Sequence, residues 1–321
     1  MKALVTGGAG FIGSHLSERL LELSHEVTIL DNFSSGSMKN IPKTLASNAC
    51  VKLITGDCKN PHDVLHALHD IDVVFHFAAN PEVRLSLADP ATCFQENVYV
   101  THILLEQLKQ SSVSTIVFAS TSTVYGDARI VPTHENYSPL EPISIYGASK
   151  LASEALITSY CHTFKRKAII LRLANIVGPR NRHGIIKDFV NKLIRNPREL
   201  EILGDGTQTK SYLHVNDCIG AVLLAMKKSQ NQVETFNVGS EDRIDVKSVA
   251  KIVIEEMRLN KTKLTLTGGV EGGRGWVGDV KRMQLDITKL KSLGWKPTYK
   301  SAEAIRLAAR AQLGALAHNM P

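Results

Sequence analysis

Thr6-Gly7-Gly8-Ala9-Gly10-Phe11-Ile12-Gly13 joins the apolar run Ala3 to Val5 to a helical pattern that continues to about Leu23. The stretch satisfies both G-x-x-G-x-x-G and G-x-G-x-x-G. Glycines allow a tight turn and let the backbone approach a pyrophosphate closely. The free N–H groups that open the next helix, at its positive dipole end, then receive that anion. Gly7, Gly10, Phe11 and Ile12 are the expected contacts, and Gly13 lets the helix lie close against a sheet. A glycine turn of purely structural use explains the same letters. Asp31 decides between the two, because it ends the second apolar run about 20 residues on, where a carboxylate accepts both ribose hydroxyls of NAD. That charge repels a 2′-phosphate, and Asn32 to Ser35 offer no Arg or Lys to hold one, so NAD is expected rather than NADP.

Outward from this turn, short apolar runs alternate with helical patterns. The runs are Ala3–Thr6, Val27–Leu30, Val51–Thr55, Val73–Phe77, Thr115–Ala119 and Ala168–Leu173. The helices are expected over about Phe11–Leu23, His62–His69, Thr92–Lys109 and Tyr146–Phe164. Runs that are continuous rather than alternating belong to strands covered on both faces. The expected fold is α/β, a Rossmann-type doubly wound parallel sheet with a smaller mixed α/β substrate-binding domain. Residues 1–174 with about 210–231 are assigned to the NAD-binding domain, and about 175–209 with 237–321 to the smaller one. The tail from Arg306 to Pro321 reads as helix.

Composition excludes several classes. With 43% hydrophobic and 21% charged residues the chain is neither disordered nor fibrous. A net charge of +7 suits a nucleic-acid binder and an enzyme of anionic substrates alike. Lys165-Arg166-Lys167 lacks the aromatic neighbours of a nucleic-acid surface, so no nucleic-acid partner is expected. Five scattered cysteines without a C-x-x-C pair indicate neither disulfides nor structural zinc. His62, His66 and His69 share a helical spacing but have no ligand cluster around them, and no metal is expected. The first strand begins at the terminus, and no apolar stretch nears the roughly 20 residues of a spanning helix. A cytoplasmic enzyme with no membrane partner is expected.

Tyr146-Gly147-Ala148-Ser149-Lys150 opens a helix, and a spacing of four puts the phenol and the ammonium on one face. A nearby ammonium and a positive nicotinamide both favour phenolate, which brings a tyrosine toward use as a base. The hydroxyl cluster Ser120-Thr121-Ser122-Thr123, followed by Val124-Tyr125-Gly126, stands at another strand end. With Asp57 in Gly56-Asp57-Cys58, His76-Phe77-Ala78-Ala79, Asn97-Val98, Arg172 with Asn175, Gly178-Pro179, Gly204-Asp205-Gly206, Asn237-Val238-Gly239 and Gly278-Asp279-Val280, the landmarks run to about Trp295. In this order the chain resembles the extended short-chain dehydrogenases/reductases of the nucleotide-sugar epimerase and dehydratase group, above all the UDP-glucose 4-epimerase branch.

The resemblance implies Tyr146 as catalytic base, Lys150 as the residue that binds nicotinamide ribose and tunes it, and Thr121 as the hydroxyl on the sugar O4, beside Ser122. Asp57 and Cys58 fall near the adenine, Ala78 and Ala79 in the cofactor wall, and Asn97 behind the nicotinamide. For a UDP-sugar substrate it implies Asn175, Lys210 in place of the usual diphosphate arginine, Arg274, and Met283 near the sugar C2 substituent. The second arginine position is Trp276 here, and Arg274 lies two residues off. Dehydratases of the group carry Asp and Glu directly after the threonine, where this chain has Ser122 and Thr123. The resemblance also implies a homodimer through the helices near Thr92–Lys109 and Tyr146–Phe164. Another NAD-dependent oxidoreductase, dehydratase or decarboxylase of similar sugars, and a non-catalytic dinucleotide-binding protein, remain alternatives.

Overall fold

Ala3, Leu4 and Val5 are wholly buried in β1 (Lys2–Thr6), as a strand covered on both faces must be. The computed structural model describes residues 1–42, 45 and 47–317. β2 (Glu26–Asp31), β3 (Val51–Thr55), β4 (Val73–His76), β5 (Thr115–Thr121) and β6 (Lys167–Leu173) join β1 and a seventh strand, Val233–Val238, in one sheet. Its order is seventh strand, β6, β5, β4, β1, β2, β3. β1 pairs in parallel with β2 and β4, β2 with β3, and β4 with β5. The direction of winding reverses between β1 and β4, and in such sheets ligands bind beyond the strand ends at that point. The fold is the expected Rossmann-type α/β sheet. The seventh strand is not visible as an apolar run because Glu234, Thr235 and Asn237 interrupt it, although Phe236, Asn237 and Val238 are all buried.

Two units emerge from the packing. The first comprises Met1–Val124, Ile145–Arg172 and Ile219–Phe236, and the second Tyr125–Ser144, Leu173–Cys218 and the chain from Asn237. Tyr125–Ser144, expected with residues 1–174, clusters instead with the second unit. The Tyr125 hydroxyl donates to Asn237 Oδ1 at 2.8 Å, and the Thr133 backbone exchanges hydrogen bonds with Gln284 and Asp286. Residues 210–218 also move to the second unit. Lys210 belongs to a strand flanked by Ile244–Asp245 and Arg282–Met283, and Tyr212–His214 pairs with Asn175–Val177. The helices Ile185–Arg195, Val246–Glu256 and Ser301–Ala317 share the second core through Phe189, Val249 and Ile305. Residues 318–321 of the expected tail helix lie outside the described residues. No described helix is long and apolar enough to cross a membrane.

The sequence predicts one helix over Thr92–Lys109; the structure has Pro90–Cys93, a π-helical turn Phe94–Tyr99, and Val100–Leu108. The wider turn is stabilised by hydroxyls, since Thr101 and Ser153 both donate to the Asn97 carbonyl, at 2.6 and 3.1 Å. Thr101 Oγ1 also lies 3.1 Å from His76 Nε2, while Thr6 Oγ1 lies 2.8 Å from Nδ1. With its own proton committed to Asn97, Thr101 accepts from Nε2–H, which assigns the neutral tautomer of His76.

Burial, with the Lys150 charge adding to it, pushes His76 down to about 3. Between that value and the ordinary histidine range the unfolded chain binds a proton that the folded chain refuses. Stability therefore falls as pH falls through this window, by about 1.4 kcal/mol per unit from this residue. Urea midpoints at pH 7, 5.5 and 4.5 are expected to decline more steeply for the wild type than for His76→Asn. Equal slopes would show that His76 titrates normally in the fold.

Candidate active site

Gly7 adopts φ +70°, and a Cβ there would lie 2.7 Å from the Ala78 backbone nitrogen. At Gly13 an added Cβ would lie 2.3 Å from the Gly7 carbonyl oxygen. The turn therefore packs its bare backbone against the segment after β4, and the helix Phe11–Glu22 packs against the turn. Gly10 caps that helix without a side-chain bond, and Phe11 and Ile12 open a first turn with no acidic residue. At the end of β2, Asp31 accepts the Ala9 N–H at 2.9 Å and the Phe33 N–H at 2.8 Å. Burial pushes its carboxyl up, against the pull of those two bonds. Asp31 thus ties the glycine turn to the loop after β2, a second duty the motif alone does not reveal.

Asn32 donates to Asp57 Oδ2 at 3.1 Å, joining the ends of β2 and β3, and Cys58 beside it is buried with its thiol pushed far up. Ala78 and Ala79 follow β4, with the Ala78 N–H donating to Thr6 Oγ1 at 3.3 Å. The expected cofactor residues thus converge beyond the carboxyl ends of β1 to β4. They fit NAD on two counts: a helix N-terminus with no side-chain cap and no acidic residue in its first turn, reached over a bare glycine backbone, and a carboxylate at the end of β2.

Thr121 is the last residue of β5, and Tyr146 the second of the helix Ile145–Thr163. The Thr121 hydroxyl is within hydrogen-bonding reach of the Tyr146 phenol and lowers its pKa. Ser122 is buried and opens the 3₁₀ turn Ser122–Tyr125, while the Thr121 and Thr123 hydroxyls lie 3.1 Å apart. Lys150 is 3% exposed, with Nζ 4.2 Å from the centre of the Phe118 ring. Asn97 donates to the Ser149 hydroxyl at 2.9 Å and accepts the Asn80 N–H at 2.9 Å; Ser149 in turn donates to the Tyr146 carbonyl at 2.8 Å. Asn97 therefore steadies the first turn of the helix that carries the phenol.

One electrostatic expectation changes. The spacing suggests that Lys150 draws Tyr146 toward phenolate. In the chain alone burial dominates and pushes Tyr146 up to about 12, opposed by the Thr121 hydrogen bond, while burial pushes Lys150 down to about 7 against the pull of Glu154. Glu154 is a residue the motifs miss. It stands four after Lys150 and eight after Tyr146, a spacing that places all three on one helix face and that could have revealed it. Of the spaced histidines, His66 lies 3.2 Å from the Lys52 ammonium, a poor companion for a cation ligand.

In the second unit Asn175 donates to the Ser211 carbonyl at 3.1 Å. Lys210 Nζ lies 2.5 Å from Asp279 Oδ1 and 5.4 Å from the centre of the Trp276 ring. Arg274 donates from Nη1 to Asp127 Oδ1 at 3.0 Å and to the Asp279 carbonyl at 2.6 Å. Met283 is buried and stands opposite Lys210 in register. The structure thus gathers Lys210, Arg274 and Trp276 around Asp279, and each cation holds a carboxylate.

Residues 3–239 match the NAD dependent epimerase/dehydratase family. The UDP-glucose 4-epimerase of Corynebacterium glutamicum is 32% identical over 323 residues, 95% of this chain and 93% of that protein. The human dTDP-D-glucose 4,6-dehydratase is 30% identical over 311 residues, 95% of this chain and 88% of that protein. A crystal structure of a UDP-galactose 4-epimerase superposes with a TM-score of 0.87 at 45% identity, over 98% of this chain and all of that one. By sequence match, by fold and by the residues gathered at its strand ends, the chain belongs to the NAD dependent epimerase/dehydratase family.

Proposed function

We propose that the chain is a nucleotide-sugar 4-epimerase that interconverts UDP-glucose and UDP-galactose through a transient 4-keto sugar. The observation that carries this reading is the juxtaposition of Thr121, at the end of β5, with Tyr146, with Lys150 on the same helix face and only hydroxyls following Thr121. Thr121 holds the sugar O4, and the Tyr146 oxygen takes the 4-hydroxyl proton and later returns it, so no net proton is consumed. NAD, held by the residues at the strand ends, would supply the acceptor that takes the C4 hydride and gives it back, and a positive charge that favours phenolate. The first unit serves as the NAD-binding domain. In the second, Asn175, Lys210, Arg274 and Met283 serve the nucleotide sugar; Lys210 gives the diphosphate a point charge rather than a planar fork. A homodimer forms part of the proposal, and exposed Phe94 and Phe164 lie on the helical segments concerned.

A 4,6-dehydratase, the activity named for the human relative, needs a general acid and a general base to eliminate water. Ser122 and Thr123 titrate far from neutrality and supply neither. Incubation with UDP-, dTDP- and GDP-sugars is expected to give C4 epimers of the UDP pair. A 4-keto-6-deoxy product in quantity would overturn the proposal. Tyr146→Phe is expected to fold normally and to lose turnover by about 100-fold or more; a variant that keeps most of its activity removes Tyr146 as base.

Asp31→Ala is expected to weaken NAD binding and to narrow the preference over NADP, because it removes the carboxylate that a 2′-phosphate must approach. An unchanged ratio of the two dissociation constants would contradict the ribose assignment. Methionine is flexible and intermediate in bulk, and fit differences in apolar pockets are worth about 1–3 kcal/mol, so N-acetylated UDP-sugars are expected to turn over more slowly. Met283→Tyr should suppress that second activity more than the first. Equal loss of both specificity constants would place Met283 away from the C2 substituent.

A further inference from the structure

Glu154 and Arg172 form an ion pair that water hardly reaches, their side chains being 6% and 7% exposed. Arg172 Nε lies 3.0 and 3.2 Å from the two carboxylate oxygens, and Nη2 lies 2.7 Å from Oε2. The Ser120 hydroxyl donates to the same carboxylate. Such a pair is a poor way to gain stability, since packed apolar side chains of similar volume often do as well or better. Its placement explains it instead. Glu154 shares a helix face with Tyr146 and Lys150, Ser120 immediately precedes Thr121 in β5, and Arg172 lies in the adjacent β6. The cluster therefore pins the helix to both strands two turns along from the Thr121–Tyr146 hydrogen bond.

The electrostatics lead to the same residue. Cys93, from the helical turn Pro90–Cys93, acts on Tyr146, and Lys150 in turn acts on His76, from β4. Both stay neutral in the working range, Cys93 because burial raises its thiol and His76 because burial lowers its imidazole. Glu154 is the carboxylate that favours the charged form of Lys150. Arg172 fixes that carboxylate.

We infer that the Glu154–Arg172–Ser120 cluster is a positioning element for the reaction: it keeps the buried Lys150 ammonium charged and holds Thr121 and Tyr146 in register. This rests on Tyr146 acting as the base. The test uses the NAD-loaded enzyme and the sugar pair that the substrate panel identifies. The variants are Glu154→Gln, Ser120→Ala, and the apolar triple S120A/E154L/R172M. Alongside kcat, KM and their pH dependence, the tyrosinate absorbance near 295 nm is titrated against Tyr146→Phe, which reads the phenol without turnover.

In Glu154→Gln, kcat is expected to fall about 10-fold or more with KM little changed, and the acid limb of kcat and the Tyr146 titration to move up by about one pH unit. The triple variant is expected to melt no lower than the wild type and yet to lose kcat, with a smaller upward shift of the titrations because the Arg172 charge is removed together with the carboxylate. Ser120→Ala is expected to lose about threefold in kcat or more, as the removal of one hydroxyl donor to the Glu154 carboxylate allows. A triple variant with wild-type kcat and unmoved titrations would reduce the cluster to a structural role and overturn the inference. If the Glu154 variants do not fold, Ser120→Ala decides, and a wild-type kcat there overturns it. Activity retained by Tyr146→Phe would overturn the base assignment together with the inference, whereas an inactive Tyr146→Phe beside normal cluster variants would overturn the inference alone.

Discussion

A lysine ammonium shut away from water is the constraint around which the first unit is arranged. Lys150 is 3% exposed and meets the face of Phe118 at 4.2 Å, a contact that attracts a cation but cannot replace its hydration. Burial pushes it down to about 7 even against the pull of Glu154. Its neighbours answer to that charge. His76 stays neutral, held in one tautomer by Thr6 and Thr101, and Glu154 supplies the opposing carboxylate under the grip of Arg172. Tyr146, one helical turn before, is raised by the same burial and lowered by Thr121. The chain alone thus stores a phenol that keeps its proton; in the proposed function a positive cofactor ring would favour its release.

The cofactor residues obey a different constraint, which is close approach. Gly7 and Gly13 leave no room for a methyl group, so the turn after β1 can lie on Ala78 and receive the helix behind it. Asp31 makes that geometry depend on the neighbouring strand, because the carboxylate expected to meet ribose also holds the Ala9 amide. In the second unit the cations are restrained in turn: Lys210 by Asp279, Arg274 by Asp127. In the proposed function an entering diphosphate would compete with carboxylates already in place, which tempers the affinity that two bare cations would give.

Much of this was legible because it rests on local rules. The glycine turn, Asp31 and the continuous apolar runs define the sheet, and Tyr146 with Lys150 defines the reactive helix. Three things were hidden for physical reasons. The π turn at Phe94–Tyr99 depends on hydroxyls from Thr101 and Ser153, the latter on another helix, which no helical periodicity records. The return of Tyr125–Ser144 to the second unit depends on Asn237, 112 residues from Tyr125. The Glu154–Arg172 pair joins helix to strand, so only the four-residue spacing from Lys150 hints at it. Where the usual diphosphate arginines are replaced, the sequence announces the change, and the arrangement of Lys210, Trp276 and Arg274 around Asp279 comes from the fold.

The most direct measurement follows the hydrogen at C4. UDP-galactose deuterated at C4 is incubated with the enzyme in ordinary water, and the UDP-glucose formed is examined by mass spectrometry and proton NMR. Epimerisation by removal and return of the same hydrogen, with Tyr146 handling only the hydroxyl proton, leaves the deuterium at C4 of the product. Loss of that label to solvent, or incorporation of solvent hydrogen at C5, would contradict it and point to an elimination instead.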